Sequence, residues 1–323
     1  MNRNPALLAA LALLLAGCPR EVRVPSSPEV LQGSFVGEAR LWSTLQSVAL
    51  APDGSRLAVF NGGGFSLWRP DGTLLQARQP QSVLAAAFSP DGTRLAVLGE
   101  GLVLYPADGG SALRTFDVAA AFQNGGRGFL AWNPAGTRLA VVAGGEPPLA
   151  VTVDAASGTV SAPQTLPGQE PRAVALDPDE NLVIADRGGT IRVIGLDGLE
   201  LRSFTPRADR WQVALSPDGT RAAALLPGLD RPAFVGVFAT ATGQRLRVLN
   251  ADLSPAWGLS IANTGAVAAS EDVYLNGNGR PPTGRVRVFD PAGNVAATLD
   301  ASDPMLEAVP LDGSGTLVAA RSG

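Results

Sequence analysis

The sequence contains no lysine and no histidine, so all 25 of its basic residues are arginine. Imidazole acid–base chemistry, lysine Schiff bases and histidine-ligated metal centres are thereby excluded. Cysteine occurs once, which rules out an internal disulfide and leaves stability to packing. Basic charge is not in surplus: 25 arginines face 29 acidic residues, for a net charge of −4, so no nucleic-acid partner is expected. Aromatic residues make up only 6% of the chain. No Gly-x-Ser-x-Gly elbow, P-loop or dinucleotide glycine pattern is present. Asp177, Asp179 and Asn181 imitate the start of a calcium loop, but Leu182 stands where glycine is required and Gly188 where glutamate is. The sequence therefore predicts no catalytic residues, no metal site and no cofactor. What it has in quantity is apolar and turn-forming: 46% hydrophobic residues, 38 Gly and 26 Pro in 323 residues, the balance of a folded, turn-rich protein.

The one apolar run near the start, residues 6–15, follows a short positive stretch, Met1-Asn2-Arg3-Asn4, and is too short to span a bilayer. It ends in Leu15-Ala16-Gly17-Cys18, which resembles the lipobox of bacterial lipoproteins. The resemblance implies a signal peptide over 1–17, an acylated Cys18 that anchors the chain in the membrane, and a location in the bacterial cell envelope outside the cytoplasm. Residues 18–29, with Pro19, Pro25 and Pro28, read as a lipidated tether with a reach on the order of 20 Å. Residues 30–323 are then left to fold.

That region repeats. Ala51-Pro52-Asp53-Gly54 recurs as Ser89-Pro90-Asp91-Gly92 and Asn133-Pro134-Ala135-Gly136, with weaker copies at Asp177-Pro178-Asp179-Glu180, Ser216-Pro217-Asp218-Gly219, Ala262-Asn263-Thr264-Gly265 and Asp312-Gly313-Ser314-Gly315. The mean spacing is roughly 43 residues, the length of a four-stranded propeller blade. Four residues before each turn end stand Leu50, Phe88, Trp132, Leu176, Leu215, Ile261 and Leu311, and the residue before each of these is small in nearly every copy. Large and small residues alternating with period two mark a strand buried on both faces, and the small column suits strands converging on an axis. Second strands begin near Leu57, Leu95, Leu139, Val183, Ala222, Ala268 and Val318. Third strands follow in six copies, each before a glycine turn at Gly72, Gly109, Gly158, Gly198, Gly243 or Gly293.

The pattern predicts an all-β, seven-bladed β-propeller with four-stranded antiparallel blades. Residues 34–42 are expected to supply the outer strand of the last blade, closing the ring with the N-terminal segment. The Pro-Asp-Gly element is structural, since Pro presets φ and Gly accepts a positive φ. The arginine column Arg56, Arg94, Arg138 and Arg221 reads as a solvated face paired with turn aspartates rather than as an anion-binding ring.

These copies resemble the Ser-Pro-Asp-Gly class of WD-repeat-like bacterial propellers, such as the Tol-system periplasmic propellers. Blade four, with Asp177-Pro178-Asp179-Glu180-Asn181-Leu182-Val183-Ile184-Ala185-Asp186-Arg187, is also similar to an NHL repeat. The resemblance covers nearly all of the chain after the tether.

Length varies on one side of the repeat. The second-to-third connections lengthen at 144–148, 227–232 and 274–282, on the face that also carries the links between blades. Such insertions mark a binding face. Eight residues before each turn end, at the mouth of the central channel, stand Gln46, Leu84, Gly128, Arg172, Trp211, Trp257 and Glu307, a column that mixes charge and aromatics. Asp186 and Glu271, at second-strand ends, and Tyr274, in the longest loop, are expected nearby. Trp211 and Trp257 beside Arg172 and carboxylates suit a planar, sugar-like or cationic ligand or a partner anchor, or else plug the channel. The leading reading is a non-catalytic scaffold that binds another envelope protein. The alternatives are a binder or sensor of a small ligand at the channel mouth, and a metal-dependent hydrolase or lactonase in which Asp186, Glu271 and Glu307 would have to converge.

Overall fold

The computed structural model describes residues 45–61, 64–69, 71–78, 83–206, 213–226, 233–253, 256–273 and 283–301. They form six four-stranded sheets, each a meander in which sequential strands pair antiparallel. Blade 1 comprises β1 (Leu45–Leu50), β2 (Leu57–Asn61), β3 (Gly64–Trp68) and β4 (Leu74–Arg78). Blade 2 comprises β5 (Ala85–Phe88), β6 (Arg94–Leu98), β7 (Leu102–Pro106) and β8 (Arg114–Phe116), and a short 3-10 turn, Ala119–Phe122, leads to the next. Blade 3 comprises β9 (Gly128–Trp132), β10 (Arg138–Ala143), β11 (Leu149–Asp154) and β12 (Gln164–Thr165). Blade 4 comprises β13 (Pro171–Leu176), β14 (Leu182–Asp186), β15 (Ile191–Ile194) and β16 (Glu200–Phe204). Blade 5 comprises β17 (Val213–Leu215), β18 (Arg221–Leu226), β19 (Ala233–Ala239) and β20 (Arg245–Leu253). Blade 6 comprises β21 (Ala256–Ile261), β22 (Val267–Val273), β23 (Thr283–Phe289) and β24 (Val295–Ala301). The first strand of each blade lies against the first strand of the next, the arrangement of a β-propeller.

Among the described residues the propeller has six blades, not the seven that the repeat count predicts. The turn signature marks a two-stranded hairpin, whereas a blade needs four strands. The seventh signature stands at 312–315. That signature, and residues 34–42 expected to close the ring, lie outside the described residues.

Among the described residues the core is divided into apolar layers that sit between consecutive blades. Leu98, Leu102 and Leu104 of blade 2 pack with Trp132, Val141 and Val153 of blade 3, and Val235, Val237 and Leu249 of blade 5 with Ile261, Val267 and Phe289 of blade 6. Both faces of the middle strands are covered, which is why β14 is buried at every position and is apolar from Leu182 to Ala185. The outermost strands meet solvent, and β16 is exposed over most of its length.

The first hairpins turn as the signature predicts. In blades 2, 3 and 5 a buried polar residue opens the turn: Ser89 Oγ accepts the Arg94 amide at 3.0 Å, Ser216 Oγ the Arg221 amide at 3.0 Å, and Asn133 Oδ1 the amides of Thr137 and Arg138 at 2.8 and 2.9 Å. The turn ends at Gly54, Gly92, Gly136, Gly219 and Gly265 all have positive φ. Blade 4 departs from this, because Glu180 takes the left-handed position at φ 64°, a conformation that costs a non-glycine residue about 1–2 kcal/mol. Its side chain offsets that cost: Oε1 accepts from Asn133 Nδ2 at 2.9 Å, and Oε2 pairs with Arg138 of blade 3.

Candidate functional site

The loop-bearing face is held by backbone hydrogen bonds between loops of different blades. The loop at 144–148 is fastened to the link between blades 2 and 3: the Gly144 amide donates to Arg127 O at 2.8 Å and Asn124 Nδ2 to Pro147 O at 2.9 Å. On its other side the Leu166 amide donates to Pro148 O at 2.9 Å. A Cβ on Gly126 would collide with the backbone of Gly144, and one on Gly145 would lie 2.5 Å from Asn124 O. Val118 and Ala121 bury the link from beneath. These two loops form a rigid platform beside the channel mouth, presenting Glu146 and Arg127 to solvent. The lengthened connections at 227–232 and 274–282, Tyr274 included, lie outside the described residues.

The mouth column has a structural identity that spacing did not disclose. In blades 1, 4 and 6 the register of the first strand shifts, so that Gln46, Arg172 and Trp257 each occupy a β-bulge between paired neighbours. A bulge re-aims one side chain without disturbing the rest of the strand, and bulges gather beside functional sites. In blade 3 the equivalent Gly128 pairs regularly with Ala143. Leu84 of blade 2 overhangs that glycine, with its Cβ 3.0 Å from where a Gly128 Cβ would stand, and is itself 44% exposed. The described part of the mouth thus runs from an exposed leucine, over a glycine, to Arg172, whose Nη2 pairs with Glu170 Oε2 at 3.1 Å. The ion pair leaves this stretch close to neutral.

Asp186 stands opposite Pro171 across β13 and β14, next to Arg172 in the register, but its carboxylate does not open onto the mouth. It is 3% exposed. Oδ1 accepts the amides of Gly188 and Thr190 at 2.9 and 3.0 Å, and Oδ2 accepts from Arg192 Nε at 3.4 Å. It is the cap of the β14–β15 hairpin. Arg192 also binds Glu200 at 2.6 Å; burial opposes its charged form, and the two carboxylates outweigh burial and raise its pKa. Glu271 is placed only by its backbone, opposite Ala256 in blade 6, a register position equivalent to that of Asp186. Trp211, Glu307 and Cys18 lie outside the described residues. Asp177 and Asn181, the calcium-loop imitation, bond one another across the blade 4 turn at 2.8 and 3.1 Å. Among the described residues no group of three or more acidic or cysteine side chains is placed to hold a metal ion.

The opposite face shows what the arginine column does. Arg94 donates to Gly136 O at 2.7 Å and lies 4.8 Å from the Trp132 ring centroid. Arg138 pairs with Glu180, Arg56 with Asp108, and Arg221 donates to Asn263 O. Each reaches from one blade to the next, so the column staples the ring together. Three of the partners lie 42 residues ahead, and that recurrence at the blade period was the available sequence signal.

The chain matches no protein-family model and no curated protein. The WD-repeat-like and NHL-like resemblance therefore extends to the propeller arrangement and to nothing finer.

Proposed function

We propose that the protein is a non-catalytic interaction scaffold of the bacterial cell envelope, anchored through an acylated Cys18, that binds another envelope protein by its loop-bearing face. The observation that carries this reading is the platform formed by 117–127 and 144–148, a rigid, loop-built surface beyond what the blades need for their own packing. Its rigidity lowers the ordering cost of association. The buried capping role of Asp186 supports a non-catalytic reading, because a carboxylate bonded to two amides and an arginine is poorly placed to handle a substrate.

The test is a photo-cross-linking amino acid placed at Glu146, and in a second variant at Tyr274, in the full-length protein in its native membrane. A discrete adduct with one protein supports the scaffold reading. Absence of any protein adduct from both positions refutes it. In the same cells Cys18→Ala should move the protein from the membrane to the soluble fraction, and retention in the membrane would refute the anchor.

A second reading, a small ligand at the channel mouth, is favoured by the backbone bulges at Arg172 and Trp257, two neighbours in the mouth column. Trp257→Ala should then abolish ligand-induced shifts in melting temperature.

A further inference from the structure

Among the described residues the joints from blade 1 to blade 6 on the tight-turn face each carry one guanidinium with a matched partner, save two. Arg56 meets Asp108, Arg138 meets Glu180, and Arg94 has the Trp132 ring and Asp91 at 4.0 Å. Blade 4 has Leu182 at the arginine position, and its joint with blade 5 is closed by backbone packing. The joint between blades 5 and 6 is different, because it holds two arginines. Arg221 at the start of β18 donates to Asn263 O, and Arg247 in β20 donates to Gly265 O, so both converge on one turn. A Cβ on Gly265 would stand 3.1 Å from Arg247 Nη2 and 3.5 Å from Arg221 Cδ and Nε.

Among the described residues no carboxylate bonds to either of them. The blade 6 turn is Ala262-Asn263-Thr264-Gly265, where blades 1, 2 and 5 carry Asp53, Asp91 and Asp218. Arg247 Nε is buried without a hydrogen-bond partner. Burial and then the Arg221 charge lower the Arg247 pKa, against a smaller opposing pull from Asp290. Two like charges converging on partly desolvated ground, with a buried donor unmet, are unfavourable in the chain alone. An anion supplied from outside reverses that, since guanidinium groups match tetrahedral oxyanions with paired donors.

We propose that Arg221 and Arg247 form a binding site for a tetrahedral oxyanion, phosphate or sulfate, at the joint of blades 5 and 6 on the face opposite the loops. The site is independent of the interaction surface proposed above and does not depend on it. An anion held there ties β18, β20 and the blade 6 turn together, locking the last described joint as Glu180 locks that between blades 3 and 4.

The experiment is thermal unfolding of the full chain in inorganic phosphate, sulfate, acetate and chloride at equal ionic strength, with phosphorus NMR line broadening of inorganic phosphate as a direct readout. Phosphate and sulfate should raise the melting temperature saturably, while acetate and chloride do not. Arg247→Gln should abolish the shift and the broadening. Because it also relieves like-charge repulsion, it should melt no lower than the unmodified protein in chloride at low salt. Arg221→Gln should likewise lose the response, and Arg94→Gln, at a matched joint, should keep it. Should Arg247→Gln fail to fold, Arg247→Lys, which keeps the charge and loses the fork, should bind phosphate at least several-fold more weakly. Equal shifts from chloride or acetate, or an undiminished response in Arg221→Gln, would overturn the proposal.

Discussion

The joint between blades 4 and 5 makes the sharpest demand on a single residue. Gly219 ends the blade 5 turn at φ +66°, and a Cβ there would lie 2.9 Å from Asp177 N and 3.0 Å from Asp177 Cα. The obstacle is backbone, held by its own turn hydrogen bond from the Asp177 amide to Asn181 O at 3.0 Å, so it cannot swing aside as a side chain would. Gly219→Ala therefore carries two costs: about 1–2 kcal/mol for a left-handed alanine, and about 1–3 kcal/mol for overpacking against a fixed wall. The sum is about 2–5 kcal/mol. Gly125→Ala isolates the first cost, since Gly125 has φ +68° and nothing within 4 Å of its Cβ position. Urea denaturation followed by the fluorescence of the five tryptophans should show a midpoint loss for Gly219→Ala that exceeds that for Gly125→Ala by an amount worth about 1–3 kcal/mol. Equal losses would refute the claim that this joint is closed by direct backbone contact.

Arg94→Ala removes the hydrogen bond to Gly136 O and the contact with the Trp132 ring, and should cost about 1–2 kcal/mol, read by the same denaturation. Asp186→Ala strands the amides of Gly188 and Thr190 and should cost about 2–3 kcal/mol, whereas Asp186→Asn, which keeps an acceptor oxygen, should cost less; a stable Asp186→Ala would return this carboxylate to the candidate site. Hydrogen bonds from Ser89 hold Asp91 below its ordinary 3.8, those from Thr73 do so for Asp71, and Arg56 does so for Asp108. Their folded values lie below their unfolded ones, so their stabilisation is complete above the ordinary carboxylate range and is lost as pH falls through the lowered values. With no histidine to titrate, the urea midpoint should stay level from about pH 8 to about pH 5 and drop only below about pH 4. A slope between pH 5 and 7 would contradict this.

The strand plan was legible because every blade repeats the same burial problem. Leu50, Phe88, Trp132, Leu176, Leu215 and Ile261 all end first strands, as their column required, and the third strand Ile191–Ile194 falls where the apolar run placed it. Blade number was not legible from the same signal, since a turn column registers hairpins and the number of blades is set by how many hairpins acquire two further strands. Nor were the bulges at Gln46, Arg172 and Trp257. Their positions keep a constant distance from the turn, and a bulge exists only by comparison with the length of the partner strand. The capping role of Asp186 was hidden for a related reason: its place at a strand end is visible in the repeat, but its direction is set by the amides of Gly188 and Thr190, which a two-glycine turn leaves open to it.

The two faces of the ring thus follow different rules. On the tight-turn face each blade must engage the next at a fixed offset, so an arginine is constrained by a residue one blade onward and a turn glycine by a residue one blade back, and substitutions there register as stability. On the other face the platform loops are bonded chiefly through backbone atoms, Gly144 to Arg127 O and Leu166 to Pro148 O. Side chains such as Glu146 and Arg127 are left exposed and free to vary without loosening the ring. A rigid surface whose side chains are not needed for folding is what a binding face requires. Glu146→Ala should accordingly leave the urea midpoint within about 0.5 kcal/mol of the parent while weakening partner capture at that position. A loss of stability comparable to that of Arg94→Ala would mean that the platform belongs to the scaffold and not to recognition.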